Sequence, residues 1–326
     1  MRRRKFITLL GSAAVWPLVV RAEQPVMPVI GFLHVAFPER YAEQLSAFRQ
    51  GLKQAGYVEG QNLSVEYRWA NNEDDRLPEL AADLVRRKVA LIVAAGGPTS
   101  VLAAKVASPT MPIVVIFGAD PVQLGLVESL NRPGGNITGV TFLTTELMAK
   151  RLELLRELIP QATTIGYLAG PRTGSSAQML RDTLAAANVF GLDLVVREAR
   201  SEQDFEPAFS TFVECKAGGL IVAPSQLFDS HRGQLIGLAA RYKVPAIYQA
   251  REFAVDGGLM SYGAPYGDTF RIGGLYAGQI LKGEKPANLP FQQATRLELV
   301  INLSSAKTLG LEVPLSLMIR ADEIRE

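Results

Sequence analysis

The chain has 326 residues, 48% of them hydrophobic and 20% charged, which excludes a disordered or collagen-like polymer and leaves room for about two domains with sizeable cores. Lys and Arg number 34 against 32 Asp and Glu, a net +2, so no basic excess argues for nucleic acid. One cysteine, Cys215, and two histidines, His34 and His231, exclude an intrachain disulfide and a typical structural zinc site.

Residues 1–22 read as an export signal. Arg2, Arg3, Arg4 and Lys5 form a basic head, and 6–20 is mostly apolar but short for a bilayer span. Small or modest residues at Val20 and Ala22 place cleavage after Ala22. Arg3-Arg4-Lys5-Phe6-Ile7 resembles the twin-arginine export motif, with Arg2 where Ser or Thr is usual. No cysteine lies near the cleavage point, so a lipid anchor is not expected. The signal carries five cations and no acid, so the mature chain has 29 cations against 32 acids, a net −3.

From residue 28 onward apolar runs alternate with amphipathic stretches. Strands are predicted at 29–33, 63–69, 89–95 and 113–117, with helices at 41–56, 76–87 and 100–107 between them. The all-apolar run before Gly96 suits a parallel strand covered on both faces. A helix at 147–158 opens a second series, with strands at 164–168, 192–196, 220–223 and 244–248 and helices at 178–189, 205–215 and 231–242. Further strands at 258–262 and 297–303 and helices at 269–281 and 304–309 follow. This repeat predicts an α/β fold of two doubly wound parallel-sheet lobes, with a chain that crosses between them several times. The expected division is 28–143 plus 250–282 for one lobe and 144–249 plus 283–326 for the other.

In open parallel sheets ligands bind beyond the carboxyl ends of the strands. Six loops occupy those ends: 34–38, 96–100, 118–121, 170–175, 224–228 and 249–253. Gly96-Gly97-Pro98-Thr99-Ser100 joins a buried strand to a helix start, whose free amides favour an anion such as a carboxylate; it reads equally as a tight turn with a cap. Asp120 is placed either to hold an ammonium group or to cap the segment from Val122. His34 and Phe37 in the first loop, with Ser225, Phe228, Tyr248 and Glu252 in the second half, complete the candidate ligand set. Trp69 ends its strand and is read first as packing. Cys215 reads as a buried small residue. No serine-nucleophile elbow, Walker lysine loop, His-Glu-x-x-His or dinucleotide-binding glycine motif is present, and no metal cluster can be assembled. No catalytic residue and no cofactor are expected.

Several segments resemble one bacterial family of solute-binding proteins of ABC transporters, of the tryptophan/tyrosine type. They are Phe48-Arg49-Gln50-Gly51-Leu52, Gly56-Tyr57-Val58-Glu59-Gly60, Asp120-Pro121-Val122, the run from Ser129 to Gly139 that contains Asn131-Arg132-Pro133-Gly134-Gly135-Asn136, Gly257-Gly258-Leu259-Met260-Ser261-Tyr262-Gly263, and Ile280-Leu281-Lys282-Gly283-Glu284-Lys285-Pro286. The resemblance implies a type I periplasmic-binding-protein fold with three crossovers, and capture of a small ligand without chemistry. It further implies periplasmic location and an ABC permease in the inner membrane as partner. Many relatives have a Ser/Gly-rich loop where this chain has His34, Phe37 and Pro38. The expected ligand is an amino acid or related carboxylate, with an aromatic side chain facing Phe37 or Phe228. A sensor subunit serving a membrane receptor, or an α/β enzyme, are the rival readings.

Overall fold

The computed structural model describes residues 27–142, 147–171 and 174–326, the backbone alone at 174–175. The expected signal and its cleavage point lie outside the described residues, as does part of the 170–175 loop.

The chain begins with β1 (Val29–His34), α1 (Ala42–Gln54), β2 (Ser64–Trp69), α2 (Leu77–Arg86), β3 (Leu91–Ala95), α3 (Pro98–Ala107), β4 (Ile113–Phe117) and β5 (Ile137–Thr141). It continues with α4 (Met148–Leu158), β6 (Thr164–Ala169), α5 (Gly174–Phe190), β7 (Asp193–Glu198), α6 (Phe205–Glu214), β8 (Gly219–Val222), α7 (Gln226–Ser230), α8 (Arg232–Arg241) and β9 (Ala246–Tyr248). The last stretch is α9 (Arg251–Val255), β10 (Met260–Gly263), α10 (Tyr266–Leu281), β11 (Gln292–Gln293), β12 (Glu298–Asn302), α11 (Leu303–Thr308), α12 (Leu315–Arg320) and β13 (Glu323–Arg325).

Two sheets result, in the orders β11-β5-β4-β3-β1-β2 and β13-β12-β10-β9-β8-β6-β7. Every residue of β3 and β4 is buried, as befits parallel strands with helices on both faces. Alternate residues of one strand feed opposite layers. Phe32 packs against Phe48 of α1, with ring centroids 5.4 Å apart, whereas Leu33 joins the layer under α2 with Leu84. In the second lobe Ile221 and Val222 divide in the same way. The helices form because their apolar residues recur at helical spacing; α1 buries Leu45, Phe48 and Leu52 and stops before Gly56 at φ +90°.

Three details correct the expected layout. β5 is a strand of its own, where none was expected. Its Gly139 sits at φ +154°, where an added Cβ would fall 2.0 Å from the Val115 carbonyl oxygen. β12 runs antiparallel to β10, so the second sheet is not wholly parallel. The late lobe boundaries also shift. β10 pairs with β9 and β12 in the second sheet, while β11 pairs with β5 in the first, so 250–263 belongs with lobe two and 286–293 with lobe one. The reason is that α10, not the strand before it, returns to lobe one. It lies on α1 at backbone distance, and a Cβ on Gly274 would fall 2.1 Å from the Phe48 carbonyl oxygen. The chain therefore crosses between the lobes after β5, after β10 and after β11.

Candidate functional site

Each sheet has a switch point where the connections diverge to opposite faces, between β1 and β3 in lobe one and between β6 and β8 in lobe two. The loops at these two points face one another, and a cavity of about 260 Å3 lies between them. That is room for one small molecule rather than a polymer.

Lobe one supplies a wall of donors. The β3–α3 turn brings Gly96 (φ +90°) and Gly97 (φ +141°) to the cavity, followed by Pro98 at the helix start and Thr99. Beside it, His34 ends β1. Its Nδ1 accepts from the Ala36 amide at 3.0 Å, so the proton of the neutral ring sits on Nε2, which is buried and has no partner. Burial pushes the His34 imidazole down to about 3, so it is neutral at ordinary pH. The loop after β2 adds Asn72 and Asp74. Asn71 and Asn72 occupy the left-handed region at φ 56° and 61°, a conformation that asparagine tolerates. Asn72 Nδ2 is buried and unpaired at the cavity wall. Burial raises the Asp74 carboxyl, and the Thr99 hydroxyl hydrogen bond opposes this in part.

Lobe two supplies Gly170 and Pro171 after β6, Met179 on α5, Arg200 after β7, and Ser225, Gln226 and Asp229 around the start of α7. Asp229 is 8% exposed. It accepts from Gln249 Nε2 and from the Tyr266 hydroxyl, and burial followed by the nearby Glu252 pushes it up to about 7. Aromatic rings close the remaining sides. Phe142 and Tyr266 lie 5.3 Å apart, and Tyr41 bridges His34 at 4.2 Å and Phe270 at 6.2 Å.

Besides the Tyr266–Asp229 hydrogen bond, three side-chain contacts among the described residues join the lobes. Tyr41 Oη donates to Gln226 Oε1 at 2.6 Å, Gln44 Nε2 donates to Glu252 Oε1 at 2.9 Å, and Ser230 Oγ donates to Asn72 Oδ1 at 3.2 Å. The structure is thus a closed clamp: lobe one brings the β3–α3 turn, His34, Asn72, Asp74 and most of the rings to the cavity, and lobe two brings Ser225, Asp229 and Arg200.

Residues 34–325 match the sequence model of the ABC transporter substrate binding proteins. The chain belongs to this family. A tyrosine-binding protein of Clostridioides difficile (strain R20291) is 27% identical over 266 residues, covering 81% of this chain and 76% of the relative. A conserved domain protein of Vibrio cholerae superposes with a TM-score of 0.85 at 25% identity, over 92% of this chain and all of that one. The ABC domain solved with L-Trp from Streptococcus pneumonia gives 0.83 at 23% identity, over 91% of this chain and 99% of that one. The family is one of substrate-binding proteins, and the type I binding-protein fold expected from the sequence is the one observed, shared with a 5-methylthioribose and a myo-inositol solute binding protein.

Within this substrate-binding protein the expected site residues separate into two groups. His34, Gly96, Gly97, Thr99 and Ser225 line the cavity. The other six do not. Ser100 is fully buried behind the turn. Asp120 is used as a cap, its Oδ1 accepting from the amides of Val122 at 2.8 Å and Gln123 at 3.3 Å. Phe228 is core, edge-on to Phe205. Tyr248 is buried and stacked on Phe253 at 4.5 Å. Phe37 lies by Arg40 and His231 in a separate surface depression, and Glu252 lies in a small adjoining hollow at the seam. Trp69 packs on His34 at 5.0 Å without reaching the cavity, and Cys215 is exposed at the end of α6 rather than buried.

Sequence reasoning missed Tyr41, Asn72, Asp74, Arg200, Asp229, Tyr266 and Phe270. Asn72, Asp74 and Arg200 stand at the carboxyl ends of β2 and β7, two strand ends left out of the six loops. The Asn71-Asn72 pair carried a signal, since consecutive asparagines favour the left-handed turn found there. Tyr266 and Phe270 come from a helix that belongs to the opposite lobe from the strand before it, which periodicity does not reveal.

Proposed function

We propose that the protein is the exported solute receptor of an ABC importer and that it captures an aromatic amino acid between its lobes. The observation that carries the reading is the division of the cavity: unpaired donors at His34 Nε2 and Asn72 Nδ2 beside the β3–α3 turn, a buried acid at Asp229, and rings from Phe142, Tyr266, Tyr41 and Phe270. A zwitterion fits that division. Its carboxylate meets the donors and the helix-start amides. Its ammonium meets the acid, and its ring lies among the aromatics. The names of the relatives, one tyrosine-binding and one solved with L-Trp, support the same ligand class.

Catalysis finds no support in the site. The His34 ring faces no carboxylate that would orient it as a base, since its Nδ1 is taken by a backbone amide. No helix among the described residues is long and apolar enough to cross a membrane. That suits a receptor delivered through the signal at 1–22 to the periplasm, by the twin-arginine route, and handing its cargo to a permease. A thermal-shift screen of the purified protein over amino acids, small acids, sugars and purines tests the reading, because a bound ligand raises stability by mass action. L-tyrosine or L-tryptophan should raise Tm and be recovered unchanged by mass spectrometry. A response confined to sugars or purines, or conversion of the ligand, would overturn it.

A further inference from the structure

Two carboxylates, Asp229 and Glu252, line one small hollow at the lobe seam, together with Arg40 and Arg232. Asp229 forms part of the ligand cavity and also of the small hollow beside it, and Glu252 stands on the other side of that hollow. Glu252 Oε1 accepts from Gln44 of lobe one, while its Oε2 is buried and has no partner. Asp229 accepts from neutral groups only, Gln249 and Tyr266.

Two of the three cations nearby are held by other carboxylates. Arg232 on α8 is paired with Asp256. Arg251, beside Glu252 in α9, is paired with Glu323 and reaches Glu298. Arg40 borders the hollow from lobe one. From α1 the facing groups are the Tyr41 hydroxyl, which is committed to Gln226, and Glu43, whose charge acts on Glu252 with the same sign. From α10 comes Tyr266, itself held protonated by burial and by Asp229. Two like charges enclosed together cannot both stay ionised at ordinary pH.

We propose that Asp229 and Glu252 hold one proton between them in the closed protein whenever no cation faces Asp229, and that the ammonium of a bound amino acid takes the place of that proton. The inference rests on the amino-acid reading above and adds a rule of selection: the pair admits amines at any ordinary pH and admits their deaminated analogues only when a proton comes with them. Burial raises both carboxyls, and the charge of Glu252 adds to it at Asp229, which is pushed up to about 7, consistent with a proton retained at slightly acid pH.

The test compares L-tyrosine with 3-(4-hydroxyphenyl)propanoate on the full mature protein. The analogue is measured by displacement of tyrosine where its own heat is small. Titration calorimetry at pH 6.5, in buffers of different ionisation heat, counts the protons moved by each ligand. The counts should differ by close to one, whatever the state of the empty protein, because only the analogue leaves the pair protonated. The analogue's affinity should fall up to tenfold per pH unit above about pH 7 while that of tyrosine stays level. Glu252→Gln keeps the acceptor for Gln44 and removes the repulsion, so it should shrink the difference; Asp229→Asn should abolish it. Equal proton counts with tyrosine bound, or an analogue that fails to bind even at pH 5, would overturn the proton-sharing pair and leave the amino-acid reading standing. Failure of every amino acid to bind would overturn both.

Discussion

His34 is the residue in which packing and recognition are hardest to separate. Its ring stacks among Tyr41, Trp69 and Phe32, and its proton-bearing nitrogen is left for the cavity. Burial makes the neutral form obligatory, and this fixes a sign. The unfolded ring takes a proton near 6.5 and the folded ring only near 3, so the contribution is fully present above 6.5 and is lost as the pH falls. Urea denaturation should show wild-type stability declining from pH 6.5 downward more steeply than that of His34→Gln, by up to about 1.4 kcal/mol per pH unit. Parallel profiles would show that the ring is solvated. Gly97 provides a second test. A Cβ there meets no atom within 4 Å, so the protein has space for it, but the space is the cavity, and φ +141° disfavours any side chain. Gly97→Val should weaken tyrosine binding at least tenfold with circular dichroism unchanged. Gly96→Ala is different: its Cβ falls 2.6 Å from the His34 ring, and it should lower stability and affinity together.

Among the elements, α10 has the largest consequences for the site. It carries Tyr266 and Phe270 to the cavity from its first turns, and its position depends on small residues: Gly51 faces the Arg271 carbonyl, Gly274 that of Phe48, and Gly278 the Ala55 side chain. Gly274→Val should push the helices apart and destabilise the protein by about 1 to 3 kcal/mol, as overpacking does. A shift of the urea midpoint at constant m-value is the expected readout, and an unchanged midpoint would contradict backbone-level contact. The same helix marks where sequence reading stops. Val29–His34, Leu91–Ala95 and Ile113–Phe117 were legible because buried parallel strands are continuous apolar runs. The Gly96–Thr99 turn was legible because only glycine fits it. Partnership between distant elements leaves no periodic trace, so the pairing of β10 within lobe two, the antiparallel β12 and the two-residue β11 beside β5 were not legible. Asp120 failed for a related reason: an acid before a turn looks the same whether it caps the chain or faces a ligand, and its two amide hydrogen bonds decide for the cap.

At the scale of the whole molecule, two lobes of like topology bring two switch points face to face, and neither alone forms the cavity. Lobe one contributes His34, Asn72, the β3–α3 turn and most of the rings, and lobe two contributes the buried acid Asp229. Closure is held by a few side-chain contacts across the seam, and these set a further expectation. Tyr41→Phe removes the hydrogen bond to Gln226 while keeping the ring; it should weaken tyrosine binding by about 0.5 to 1.5 kcal/mol, measured by calorimetry, and loss of more than that would assign the hydroxyl to the ligand itself. The central claim is that one amino acid is enclosed by both lobes at once. Hydrogen–deuterium exchange with and without saturating L-tyrosine tests it most directly. Protection should rise together in the β3–α3 turn and the loop after β2 in lobe one, and in the 224–230 segment in lobe two. Protection confined to one lobe, or absent from both when tyrosine is saturating, would contradict it.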